Sequence, residues 1–198
     1  MCICCGIIEG AAAATIGAIA ILKNKKEREM KPITLSTTKE MRSYFLERTK
    51  NHINLVIQFG KLLGKNYEGH DIDKFSDTLV FPYTLLTWKH HDKNFKLNKM
   101  EQEEIKFATQ YHIRRNEHHP EHWSEFNTVP VNAKKMPLDA LIEMCCDWCA
   151  MSCELKNSPL EWFEINKNKR WKFTPEQEKT IYRTLKFLWN HPDIQKLK

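Results

Sequence analysis

The chain has almost none of the patterning that marks a β protein. Nowhere do apolar and polar residues alternate over a strand's length, which argues against a sheet-based domain. No tract repeats at a fixed period, and no segment is of low complexity apart from an alanine run near the N-terminus. The seven cysteines lack the even spacing of a secreted disulfide framework; they cluster as Cys2, Cys4, Cys5 and as Cys145, Cys146, Cys149, Cys153. A reducing, cytoplasmic setting follows. Positive charge is also missing where a nucleic-acid platform would need it. The formal charge is +6, but residues 39–160 hold 17 basic and 17 acidic side chains. The surplus lies at the two ends, where it reads as solvated extension. NKNKRWK (166–172) is one short basic run and leaves only a weak nucleic-acid signal.

No apolar run reaches the length of a comfortable membrane span. Residues 7–22, IIEGAAAATIGAIAIL, are interrupted by Glu9 and followed by KNKKEREMK. A secretory signal carries its positive charge before the apolar run, whereas here the charge comes after. Two readings stay open for residues 1–22. With Cys2, Cys4 and Cys5 as acylation sites the segment anchors the chain to a membrane surface and keeps the main domain cytosolic. Alternatively it is a soluble arm that packs on the domain or on another copy. Residues 1–38 thus form an apolar, alanine-rich segment with a basic linker, 39–190 one domain, and 191–198 a C-terminal tail.

What is present is helical periodicity, and the fold class it implies is all-α. Over residues 39–64, Phe45, Thr49, His52, Val56, Phe59 and Leu63 recur at steps of three and four, one face of a long amphipathic helix. Gly64 and Gly69 bracket a loop ending at His70-Asp71. A shorter helix is expected near 77–91, bent at Pro82. Asn98-x-x-Glu101 reads as a capping box for a helix through about Arg115, with Ile105, Ala108 and His112 inward. Pro137 is placed to open a helix over 137–155, on which Ala140, Met144, Asp147 and Met151 share a face. Ser158-Pro159-Leu160-Glu161 and Thr174-Pro175-Glu176-Gln177 are further capping boxes. The last helix, 175–190, buries Ile181, Leu185 and Leu188. Cys146-Asp147-Trp148-Cys149 spells C-x-x-C, but mid-helix and without a second pair it reads as apolar filling.

The polar residues on these apolar faces carry the chemistry. His52 lies in the apolar stripe of the first helix, His112 on the buried face of the third, and Asp147 among apolar neighbours. An ionised carboxylate on a buried face is costly unless it is paired or bound to metal. Imidazoles and carboxylates gathered from several helices suit Mn, Fe, Co, Ni, Zn or Mg better than a thiolate-preferring ion. Within YHIRRNEHHPEHW (111–123), His112 faces inward from a helix, and His118 and His119 return from a loop broken at Pro120.

The order His…His-Asp…Asp, with the doublet opening HDIDKF (70–75), resembles the HD-domain superfamily of metal-dependent phosphohydrolases. That resemblance implies a single helical bundle in which His52, His70, Asp71 and Asp147 bind one divalent metal. His112 with His118 and His119 match the added histidines of two-metal members. Lys74 matches the lysine of the H-D-x-G-K variant, facing the substrate phosphate; Asp71 and Lys74 are then the residues of the reaction. Asp73 replaces the glycine of that variant, and the interval from His52 to His70 is short for the superfamily. HDIDKFS, N-x-HH-P-x-x-W at 116–123 and MPLDALIEMCCDW at 136–148 also resemble a small family without assigned activity, found largely in phage and other viral genomes.

The implied activity is hydrolysis of a phosphate ester on a small phosphorylated substrate, nucleotides among them. One or two divalent ions lower the pKa of water and neutralise phosphoryl charge. Arg114, Arg115 and Asn116 just past His112 are candidate phosphate contacts, although helix-end arginines are also favoured by the dipole alone. Asn116 and Glu117 are alternatively placed to orient the histidines. Trp123 reads first as core. Two other classes remain: the same ligands loaded with iron for oxygen chemistry, and a metal-stabilised binding module without catalysis.

Overall fold

Side-chain caps set where the helices begin. Thr38, Asn98 and Thr174 each accept the backbone N–H three residues on, and the residue there reaches back to the cap, closing a capping box. Ser158 accepts from Glu161 N without the return bond. The computed structural model describes residues 37–125 and 128–196. Over these the chain forms α1 (Lys39–Leu62), α2 (Val80–His91), α3 (Lys99–Arg115), α4 (Leu138–Leu155), α5 (Pro159–Asn166), α6 (Pro175–Trp189) and α7 (Pro192–Gln195). Short 3-10 turns lie at Ile72–Phe75 and Pro120–Trp123. The all-helical class expected from periodicity is the class observed. One parallel pairing, β1 (Val131–Asn132) beside β2 (Trp171–Lys172), ties the loop before α4 to the loop before α6.

Helix α4 is the central element. It packs against α1 on one side and α6 on the other, while α2 joins α1 to α3. Its own sequence explains the position: Met144, Cys145, Cys146, Cys149 and Ala150 leave no face for water, and all are buried. Cys146 and Cys149 of the C-x-x-C are both fully buried, and burial pushes the Cys146 thiol up, so the pair serves as apolar packing. Trp148, Trp162 and Trp171 close the far end of the core, with Arg170 over the Trp171 ring at 4.5 Å.

Several local expectations are corrected. Pro82 does not bend a helix begun at 77; α2 starts at Val80, and Pro82 sits in its first turn, where its missing N–H costs no intrahelical bond. Pro137 is the residue before α4 rather than its first helical position. Residues 192–195 of the tail form α7, capped by His191 and buried through Ile194. Among the described residues no helix is long and apolar enough to cross a membrane. The readings of residues 1–22 lie outside the described residues.

The turn after α1 decides where His70 and Asp71 stand. Gly64 takes φ 68°, a left-handed conformation that glycine adopts without steric cost. The chain then folds back so that Lys65 N donates to Gly60 O and the Tyr67 ring lies on Gly60. A Cβ at Gly60 would fall 2.7 Å from Tyr67 Cδ2 and 3.3 Å from Lys65 O, an overlap that only movement of the turn relieves. We therefore expect Gly60→Ala to destabilise the protein by about 1–3 kcal/mol. In thermal unfolding followed by circular dichroism this corresponds to a drop of roughly 3–10 °C in Tm.

Candidate metal centre

Asp71 stands at the start of the Ile72–Phe75 turn with φ 57° and ψ 9°. This left-handed conformation costs most residues roughly 1–2 kcal/mol, and Asp is among the few that adopt it locally. The conformation turns its carboxylate into the protein, where the residue is 2% exposed. The two oxygens then face two different groups. Oδ2 lies 2.5 Å from Lys74 Nζ, 3.6 Å from His70 Nε2 and 3.7 Å from His52 Nε2. Oδ1 lies 3.0 Å from His112 Nε2 and 3.7 Å from His118 Nε2.

The first group therefore combines His52 from α1, the doublet, and Asp147 from α4. Asp147 Oδ1 is 3.1 Å from His52 Nε2 and 4.0 Å from His70 Nε2. The second group is Asp71, His112, His118 and His119, whose ligand atoms all lie within 4.8 Å of one another. His52, His70 and Asp71 meet the same criterion, as do His70, His118 and Glu143. Every member but His52 and Glu143 is buried. All seven metal candidates read from the sequence are thus brought together.

The polar atoms themselves indicate what this cluster fits. Asp71 Oδ1, His112 Nε2 and His119 Nε2 are buried and make no hydrogen bond; the 3.0 Å approach of His112 to Asp71 lies outside hydrogen-bonding geometry. Buried polar atoms without partners are rare. Three that converge, with His112 able to offer its Nε2 lone pair once a cation displaces its proton, suit a cation with nitrogen and oxygen ligands. Among the described residues this His/Asp centre can hold a metal ion.

Two carboxylates outside the expected set orient the imidazoles. Both oxygens of Asp73 lie 3.0 Å from His112 Nδ1. Asn116 Nδ2 donates to Asp73 Oδ2 at 2.9 Å and to the His112 carbonyl at 2.8 Å. Glu143 Oε1 lies 2.9 Å from His70 Nδ1 and 3.4 Å from His118 Nδ1. These contacts place Nδ1 of each ring against a carboxylate and leave Nε2 directed towards Asp71. Asp73 thus serves as an orienting partner of His112. Glu143 lies one turn before Asp147 on α4, a spacing legible in the sequence but not used there.

Charge and burial compete throughout. Burial pushes Asp71 upward, but Lys74, His70 and His112 outweigh it and hold the carboxyl well below its usual range. Burial likewise opposes ionisation of Asp147 and Glu143, yet histidine partners bring each to about 2: His52 first for Asp147, His118 and His70 for Glu143. Burial and Lys74 push His112 down, and Asp71 with Asp73 overcome them, raising it to about 9. His118 and His119 have too little anionic company, so burial and the neighbouring imidazoles lower both.

The remaining candidates stand elsewhere. Arg114 and Arg115 are exposed at the end of α3, Arg115 over the Tyr111 ring at 5.3 Å. Helical rotation explains the split: Asn116, one turn on from His112, returns to its face, and the intervening arginines point away. Asn116 serves as an orienting group for Asp73 and His112. Glu117 is exposed; its carbonyl accepts from Trp123 Nε1 at 2.8 Å, and Trp123 packs on the core. His122 lies against the Ile113 carbonyl, 3.3 Å away, outside the cluster. Lys74 is buried beside Asp71 and lines a cavity of about 30 Å³ with Arg48, Thr49, His52, Tyr83 and Thr87. Arg48 was not among the sequence candidates, because it sits one residue off the apolar stripe of α1.

Fold and site together define an all-helical bundle built around a buried, two-part histidine and carboxylate centre. The chain belongs to DUF5662, a family of unknown function, whose model matches residues 41–187, a span containing every residue of the centre. No curated protein and no solved structure matches the chain.

Removing orienting partners should weaken metal without dismantling the ligand set. Glu143→Gln and Asp73→Asn are each expected to lower metal affinity by about 10–100-fold in calorimetric titration. Stability should follow occupancy. A cation at a hundred times its Kd adds about 2.7 kcal/mol, so chelation is expected to lower Tm by roughly 5–10 °C in differential scanning calorimetry.

Proposed function

We propose that the protein is a metal-dependent phosphohydrolase of HD-domain type, acting on a phosphate ester of a small molecule. One observation carries the reading: the cavity beside His52 and Asp71 is also lined by Lys74 and Arg48. Each cation has a carboxylate partner, Asp71 for Lys74 and Glu154 for Arg48, yet both still line this cavity, which a structural metal site alone does not require. A phosphoryl group brought to the centre does need them, since its charge must be matched at several oxygens.

The ligand sets are not equivalent. His52, His70, Asp71 and Asp147 offer two imidazoles and two carboxylates; His112, His118 and His119 offer three imidazoles to one shared Asp71. The second set favours Zn, Fe, Co or Ni over Mg, while the first also accepts Mn or Mg. A divalent cation bound there supplies Lewis acidity towards the phosphoryl group and a lowered pKa for water. The chain's own residues do the remainder. Asp71 Oδ1 and Oδ2 hold the two sets in fixed relation. Lys74 Nζ, carried by the turn that carries Asp71, presents a positive charge to the cavity. The Arg48 guanidinium offers paired donors to phosphoryl oxygens. Burial of Lys74 limits the screening of its charge by bulk water.

The test is elemental analysis of the purified protein, then phosphate release from a panel of phosphate esters with the metals found. His70→Ala and Asp71→Ala are expected to lower turnover by at least about a hundredfold, and Lys74→Ala by a comparable factor. Metal retained by a folded protein that releases phosphate from nothing on the panel would overturn the reading and leave a metal-stabilised binding module.

A further inference from the structure

A second cationic feature lies outside the metal centre. The C-terminal end of α2 and the loop to α3 enclose an open surface cavity of about 450 Å³. Lys89, Lys93 and Lys96 line it with His90, over a floor that includes the half-buried Phe95 and Leu97. Gln102 Nε2 fixes that floor by donating to the Leu97 carbonyl at 3.0 Å. No carboxylate lines the cavity. The nearby acids have other duties: Asp92 accepts from Asn94 N at 2.8 Å, and Glu101 closes the α3 capping box. This size falls in the range of roughly 300–1,000 Å³ typical of small-molecule sites.

Its position relative to the metal centre is fixed by α2. Tyr83 and Thr87 line the cavity beside Lys74, and His90 lines the lysine cavity. These residues follow at steps of four and three, so they share one face, and from Tyr83 to His90 the helix rises about 10 Å. Arg48 stands between the two. It lines the inner cavity, and its charge also reaches His90, which partial burial, Arg48, Lys93 and Lys89 together push down while Glu154 opposes them. Arg48 Nε is paired with Glu154 Oε1 at 2.5 Å, so this acid is held by the cation that lines the inner cavity. Residues 39–160 as a whole, these cations included, carry 17 basic and 17 acidic side chains, which makes a cationic track along one helix face local rather than general.

We propose that the Lys89, Lys93 and Lys96 cavity binds a second phosphoryl group of the substrate, so that the protein prefers small molecules phosphorylated at two positions to monophosphate esters. The inference rests on the phosphohydrolase reading for the first phosphoryl group. The substrate lies along α2, one phosphoryl group at Lys74 and the metal centre and the other among the lysines. Phe95 and Leu97 give its connecting, less polar part a surface to lie on. Glu154 limits affinity by holding Arg48. A nucleic-acid strand would need a cationic surface extending well past this cavity, and the charge balance of the domain does not provide one.

The experiment compares p-nitrophenyl phosphate with adenosine 3′,5′-bisphosphate, using the metal-loaded full chain. All three lysines are exposed, so Lys93→Ala/Lys96→Ala leaves the core untouched. The double variant is expected to raise KM for the bisphosphate at least about tenfold more than KM for p-nitrophenyl phosphate. Glu154→Gln is expected to lower KM for the bisphosphate. Equal effects on both substrates, or none on the bisphosphate, would overturn the proposal. Should the wild type hydrolyse neither compound, calorimetric titration of the metal-loaded protein with the bisphosphate still decides the cavity separately from the activity. Binding weakened about tenfold by the double variant supports it, and binding unaffected by the variant sinks it. Lysine-dependent binding of an oligothymidylate but not of the bisphosphate would also overturn it, in favour of a single strand.

Discussion

The carboxylate of Asp71 is the point on which the centre depends. It is buried, ionised and shared between two sets of imidazoles, a combination that tolerates no vagueness in its surroundings. Burying a charge is affordable only where neighbours replace the hydration it loses. Here the replacement comes from Lys74, His70 and His112, delivered by the 3-10 turn, the end of the Gly64 loop and α3 respectively. The left-handed backbone at Asp71, the glycine in the preceding turn and the stacking of Tyr67 on Gly60 all follow from the need to bring that carboxylate inward.

Around it the protein separates two kinds of interior. Helix α4 divides them: Met144, Cys145 and Trp148 serve the apolar core, while Glu143 and Asp147, one turn apart, face the histidines. The same helix therefore transmits packing against α1 and α6 to the position of two carboxylates. Rigid supports of this kind keep ligands preorganised, and the orienting carboxylates Asp73 and Glu143 complete the arrangement.

Much of this was legible in the sequence because the signals were periodic. Phe45, Val56 and Phe59 define the buried stripe of α1 by spacing alone, and His52 within that stripe announced an inward imidazole. The caps at Asn98 and Thr174 named their helices. What periodicity could not convey was direction within a face or geometry in a loop. Arg114 and Arg115 stood beside His112 in sequence and point away from it in space, whereas Arg48, distant in sequence from the doublet, lines the same cavity. Glu143 shares a helical face with Asp147, yet its value depends on two histidines from a turn and a loop whose approach no local pattern encodes. Asp73 looked like a departure from a motif until its contact with His112 supplied a reason.

The pairing of Lys74 with Asp71 has one consequence for the life of the chain. The internal ammonium gives the central carboxylate a counter-charge that is covalently part of the fold and only three residues away. A nascent chain can therefore close its core around Asp71 without an ion, so that any metal the centre takes up would be bound after folding rather than needed for it. Proteins whose ligands have no such stand-in must acquire metal in order to fold, and so are hostage to supply at the moment of synthesis. This one carries its own placeholder.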